Sequence, residues 1–177
     1  MPTSPHLPPA GAPHDAPLTR RAWLARATAL AGAGVAALWA RRAAAAAPAA
    51  PLAITVYKDP NCGCCEQWVA HMAAAGFRPA VHDVADMAAV KTRLGVPTPL
   101  QSCHTAEVDG AVVEGHVPAA DVRRFLQARP RVGKGAARGL AVPGMPAGSP
   151  GMEGARADRY AVLAFATDGT TAPFANH

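Results

Sequence analysis

Residues Leu52–Gly76 read LAITVYKDPNCGCCEQWVAHMAAAG, and this stretch decides the fold. Leu52 to Tyr57 is a short β-branched run of the kind that forms a buried strand. Lys58-Asp59-Pro60-Asn61 follows as a turn-forming cluster, and then Cys62-Gly63-Cys64-Cys65. From Glu66 to Ala75 the pattern is helical, with Cys65, Trp68 or Val69, and Met72 on one face and Gly76 placed as the stop. A strand that ends in a cysteine motif opening a helix puts thiols where unpaired backbone N–H groups and the helix dipole favour thiolate.

Working outward, Phe77 to Val84 is a second strand and Met87 to Leu94 a second helix stopped at Gly95. Val96-Pro97-Thr98-Pro99 introduces a strand over Ser102 to Val108, and Asp109-Gly110 before Ala111 to Glu114 is a hairpin signal. Pro118 suits the first turn of a last helix, with Val122, Phe125 and Leu126 as its apolar stripe, Arg123 and Arg124 outside, and Pro130 closing it. Strand, cysteine motif, helix, strand, helix, Pro-led hairpin, helix is the order of an α/β thioredoxin-like fold. To it the sequence adds a C-terminal Gly/Pro/Met loop, Gly133 to Gly154, and a further strand, Tyr160 to Ala166.

Residues 1–50 read as an export segment and linker, leaving 51–177 as the folded domain. Thr19-Arg20-Arg21-Ala22-Trp23-Leu24 resembles a twin-arginine signal, and Ala27 to Ala40 is a 14-residue uncharged stretch. That length suits a signal core and falls short of the roughly 20 residues a membrane span needs. An alanine run with AxA frames near Ala45 to Ala50 supplies the cleavage region, so no stable span is expected after processing. The net charge of +5 belongs to this leader. Five of the 17 Lys and Arg, but one of the 12 acids, lie before Ala47, which leaves 12 against 11 in the body. A basic nucleic-acid surface is therefore not expected.

All four cysteines lie in the body, as Cys62, Cys64, Cys65 and Cys103. An even count in an exported chain ordinarily means disulfides, but three cysteines within four positions leave Cys103 alone to tie distant segments. Cys62 and Cys65 form a CxxC pair suited to thiol–disulfide exchange, in which Cys62 would attack and Cys65 resolve. Cys64 is a third sulfur that such a mechanism does not need. A metal site uses it directly: thiolates and thioethers select Cu(I), zinc or iron–sulfur chemistry, and the cysteines alone do not choose among them.

His116, in Glu114-Gly115-His116-Val117-Pro118, is the candidate imidazole ligand. Met145 and Met152 each follow a Pro-Gly element and have no helical or strand period, so they are candidate thioether ligands in a loop folded over the site. His104 is adjacent to Cys103, and strand alternation would turn it away from the face that Cys103 occupies. His71, His82 and His177 are expected to face solvent.

Taken together, CGCC, Trp68 in CEQW, LGVPTPLQSCHTAEVDG, VVEGHVPA and GLAVPGMPAGSPGME resemble the CopG-like copper-resistance proteins of the bacterial periplasm, also called domain of unknown function 411. The resemblance runs from about Ile54 to Phe165. It implies a thioredoxin-like fold, a periplasmic location and Cu(I) held in a thiolate-bridged, multi-copper arrangement, with copper-detoxification proteins as partners. Cys62, Cys64, Cys65 and Cys103 fall on the family cysteines, His116 on its GHVP histidine, and Met145 and Met152 on its PGMP and PGM positions. Copper-dependent oxidoreductase activity interconverting Cu(I) and Cu(II) is a further expectation, and zinc is the less favoured metal.

Overall fold

The structure is a computed structural model that describes residues 51–177; the expected export segment, with Arg20 and Arg21, lies outside the described residues. The element order is β1 (Leu52–Lys58), α1 (Gly63–Ala74), β2 (Phe77–Asp83), α2 (Met87–Leu94), a 3₁₀ turn (Thr98–Leu100), β3 (His104–Val108), β4 (Ala111–Glu114), α3 (Ala119–Ala128), β5 (Arg131–Val132), β6 (Gly135–Ala136), β7 (Gly139–Ala141), β8 (Ala161–Phe165) and β9 (Thr171–Asn176). The result is a mixed α/β fold around one seven-stranded sheet, in the order β2-β1-β3-β4-β7-β8-β9, with β5 and β6 forming a separate small hairpin.

β1 and β2 run parallel, joined by α1 as a crossover, while β3 pairs antiparallel with β1 and β4 antiparallel with β3. The β3–β4 turn has Asp109 and Gly110 at φ of 46° and 71°, the pair of positive angles a type I′ hairpin requires. β7 adds parallel to β4, and β8 and β9 continue antiparallel.

Period-two alternation divides the sheet between two cores. Ile54, Val56, Val113, Leu140, Val162 and Ala164 face one way and pack with Trp68 and Met72 of α1 and Val122 and Phe125 of α3. Their neighbours Val112, Ala141 and Phe165 face the other way, onto Val90 and Leu94 of α2 with Val96 and Leu100. Helix α1 buries Cys65, Trp68 and Met72, the face read from the sequence. Among the described residues no helix is long and apolar enough to cross a membrane.

Three features depart from expectation. The strand expected from Ser102 begins at His104, leaving Cys103 in a bend. The Gly/Pro loop is interrupted by β7, whose three residues are all buried; it is too short to show a period. The tail after Phe165 supplies β9, where Phe174 packs edge-on to Phe125 with ring centroids 6.0 Å apart.

Phe165 is fully buried in the smaller core. Phe165→Ala is expected to lower the unfolding free energy by about 3–5 kcal/mol, measured by urea denaturation. A loss below about 0.5 kcal/mol, the range of surface substitutions, would contradict this packing.

Candidate metal centre

The cysteine motif is built on a turn and the first turn of α1. Asp59 accepts at Oδ1 from the Asn61 N–H (2.8 Å), and its carbonyl accepts from the Cys62 N–H (3.1 Å). Cys62 is the N-cap of α1, in extended backbone geometry and with no side-chain cap bond. Cys64 and Cys65 therefore occupy the first helical turn, beside backbone N–H groups that have no helical acceptor. Cys62 and Cys65 are joined in a disulfide, and Cys64 and Cys103 are free thiols. The Cys64 Sγ lies 3.6 Å from the Cys62 Sγ.

Cys103 reaches this motif through strand register. β3 pairs with β1 so that His104 lies opposite Lys58, at the end from which the cysteine turn departs. The sulfurs of Cys62, Cys64, Cys65 and Cys103 all lie within 4.8 Å of one another. Burial, with the neighbouring Cys64 sulfur adding to it, pushes the Cys103 thiol up to about 11. The thiolate-favouring argument for the helix N-terminus does not extend to Cys103, which lies on no helix.

Two imidazoles converge on the Cys103 sulfur. His116 Nε2 is 3.0 Å from it and His104 Nδ1 is 3.4 Å away. The Nδ1 of His116 lies 2.8 Å from the Pro150 carbonyl; a carbonyl only accepts, so Nδ1 carries the proton and Nε2 presents its lone pair toward Cys103. Burial holds the pKa of His116 below the ordinary imidazole value. The expectation that His104 turns away is corrected. Cys103 precedes the strand, so alternation does not apply to the pair, and Cys103, His104 and His116 form a second group of donors within 4.8 Å. His104 is fully buried, tilts against the Trp68 ring at 4.3 Å, and has no hydrogen-bond partner at Nε2 among the described residues.

The C-terminal loop folds over α1. Gly151 sits at φ +85°, and a Cβ there would stand 2.7 Å from the Cys64 carbonyl oxygen and 2.8 Å from the Trp68 nitrogen. Glu153 accepts from the Gly151 N–H at 2.9 Å, which holds its carboxyl below the usual range. Met152, half-buried, follows Gly151. Met145 is 54% exposed and follows Gly144, whose carbonyl accepts from the Ser102 hydroxyl. Each methionine is thus one residue from a contact with a cysteine-bearing segment, and Met145 stands at the rim.

His71 is corrected as well. It is half-buried, and its Nε2 accepts from the Ala119 N–H (3.1 Å) at the start of α3. His82 and His177 are exposed, His177 with a 2.7 Å contact to Asp121. Sequence reasoning missed the buried pair Lys91–Glu114 behind Cys103, at 2.5 Å. A glutamate inside the apolar run Ala111 to Val117, all of it buried, was the available signal.

Two measurements check this geometry. In the copper-free protein, peptide-mapped alkylation of Cys103 should be slow at neutral pH and rise through a midpoint near 11; a midpoint in the ordinary thiol range would contradict its burial. The linked stability has the same sign: it is present below the ordinary thiol pKa and lost as pH rises through the folded value. Gly151→Ala should destabilise the fold by about 1–3 kcal/mol in thermal unfolding, since the loop must lift from α1. An unchanged melting temperature would refute that close approach.

Comparison with known proteins gives the chain's family. Residues 100–152 match the model described as protein of unknown function DUF411, a segment that includes Cys103, His116, Met145 and Met152. No curated protein matches the chain. Two solved structures do: "Copper resistance protein copG- Form 2", 52% identical with a TM-score of 0.64, and "Copper resistance protein copG- Form 1", 50% identical with a TM-score of 0.65. Each match covers 72% of this chain and 98% of the solved one. With about half of the aligned residues identical over nearly the whole of those proteins, the chain belongs to the CopG family of copper-resistance proteins, the family of DUF411.

Proposed function

We propose that the chain is a periplasmic copper-resistance protein, exported by its twin-arginine-like leader, that holds Cu(I) in a cysteine-bridged, multi-copper site on a thioredoxin-like scaffold. The observation that carries this reading is the convergence of four cysteine sulfurs, from two segments far apart in sequence, within 4.8 Å of one another. The scaffold assignment rests on the β2-β1-β3-β4 half of the sheet, with its parallel crossover pair and antiparallel hairpin. The similar solved structures, described as copper resistance proteins, support the metal.

The donor set fits the metal. Thiolate is the soft ligand that Cu(I) prefers, and several thiolates this close can each bridge more than one ion. The lone pair of His116 Nε2 adds an imidazole. We assign Met145 and Met152 as thioether donors at the rim, where Met145 is open to incoming metal and to other periplasmic copper-handling proteins. Soft thioethers of this kind favour copper over zinc.

Full use of the site requires reduction. The Cys62–Cys65 disulfide offers no thiolates until two electrons and two protons convert it to two thiols, and binding then releases protons. Oxidation returns the pair to a disulfide and withdraws two of the four sulfurs. Bound copper supplies one-electron chemistry, and on this basis we extend the function to interconverting Cu(I) and Cu(II) during detoxification. The protein's own part is to gather the sulfurs, to fix the His116 tautomer through Pro150, and to shield Cys103 in part from water.

The same disulfide favours a second reading, thiol–disulfide oxidoreductase chemistry with Cys62 attacking and Cys65 resolving. Metal content and free-thiol count separate the two, on protein purified without air from copper-fed cells. The copper reading predicts more than one copper per chain with the thiols protected, and loss of copper in Cys64→Ser. Copper-free protein whose Cys64→Ser variant keeps full disulfide reductase activity would establish the oxidoreductase instead.

A further inference from the structure

Behind Cys103 lies a buried polar clasp that no ligand set accounts for. Glu114, at the end of β4, is fully buried, and Lys91 of α2 is 5% exposed. The Lys91 ammonium lies 2.5 Å from Glu114 Oε1 and donates to Thr105 Oγ1 at 3.0 Å. Glu114 Oε1 also accepts from the Ser102 N–H at 2.6 Å, and Oε2 accepts from the Thr105 hydroxyl at 2.6 Å. Ser102 and Thr105 are the residues that flank Cys103-His104. One carboxylate therefore grips the chain on both sides of the two residues that face the centre.

A buried ion pair is weak evidence for stability, because desolvation offsets most of its attraction. An apolar pair would fill this space at no greater cost. What an apolar pair cannot do is hold the N–H that precedes Cys103, a residue in a bend with no strand partner of its own. We propose that Glu114, with Lys91 as its counter-charge, is a positioning residue for Cys103. It sets where that sulfur stands relative to the helix-borne cysteines, much as outer hydrogen bonds orient ligands at metal sites. This rests on the copper-binding reading of the site.

The test uses paired variants in which neither leaves a buried charge alone. In Lys91→Met with Glu114→Gln, the amide oxygen still accepts from the Ser102 N–H and the amide NH₂ donates to Thr105, so the grip survives without charge. In Lys91→Met with Glu114→Leu the grip is gone. Both proteins are reduced without air and stripped of metal. Cu(I) affinity is then measured by competition with a chromophoric chelator, and alkylation of Cys103 and Cys64 by peptide mapping.

The glutamine pair should match the wild type in both readouts. The leucine pair should lose about tenfold to a hundredfold in Cu(I) affinity, with Cys103 alkylated faster and Cys64 unchanged. Equal behaviour of the two pairs would overturn the proposal. Should the leucine pair not fold, Thr105→Val removes one arm of the clasp within the native charge pair; a smaller change in the same direction supports the proposal, and an unchanged Cys103 rate refutes it. If the wild type itself takes no Cu(I), the copper reading fails, and the Cys103 alkylation rates still decide the clasp.

Discussion

Trp68 is the contact through which the separate parts of this protein meet. It is fully buried one turn below the cysteines of α1, and its indole N–H donates to the Val117 carbonyl at 2.9 Å, joining that helix to the β4–α3 connection. Its ring lies against His104 at the start of β3, and Gly151 of the C-terminal loop approaches its backbone so closely that a Cβ there would not fit. A large ring buries much apolar area and still needs one partner for its N–H. That bond ties α1 to the β4–α3 connection, and the ring and backbone of the same residue meet two further segments, three residues along α1 from Cys65.

Two kinds of sulfur result. Those of the motif stand at the N-terminus of α1, Cys62 and Cys65 joined in a disulfide and Cys64 a free thiol. Cys103 arrives from the sheet, and burial raises its thiol to about 11. Its proton has an acceptor in place, the His116 Nε2 lone pair at 3.0 Å, whose tautomer is fixed by the Pro150 carbonyl. The C-terminal loop thus reaches the chemistry through a backbone carbonyl as well as through its methionines. A soft cation that displaces the Cys103 proton would recover the thiolate that burial withholds.

The cysteine motif, the helix face under it and the β3–β4 hairpin were legible because each carries a local signal: a period, a cap or a turn pair. His104 was misjudged because alternation was applied across a strand boundary that fell between it and Cys103. β7 and β9 gave no usable pattern, β7 because three buried residues show no period and β9 because its burial depends on Phe125 of α3. The Lys91–Glu114 clasp is tertiary: the carboxylate and the ammonium are buried only because each finds the other, and the glutamate within the run Ala111 to Val117 was its one local trace. His71 was missed for the same reason, since its role is set by where α3 begins.

The most direct test of the central claim is copper-edge X-ray absorption on protein isolated without air from copper-fed cells. The account predicts an edge of Cu(I) form, a first shell dominated by sulfur, and scattering from a neighbouring copper, as thiolate bridging between ions requires. A shell of nitrogen and oxygen alone, with no copper neighbour, would contradict it.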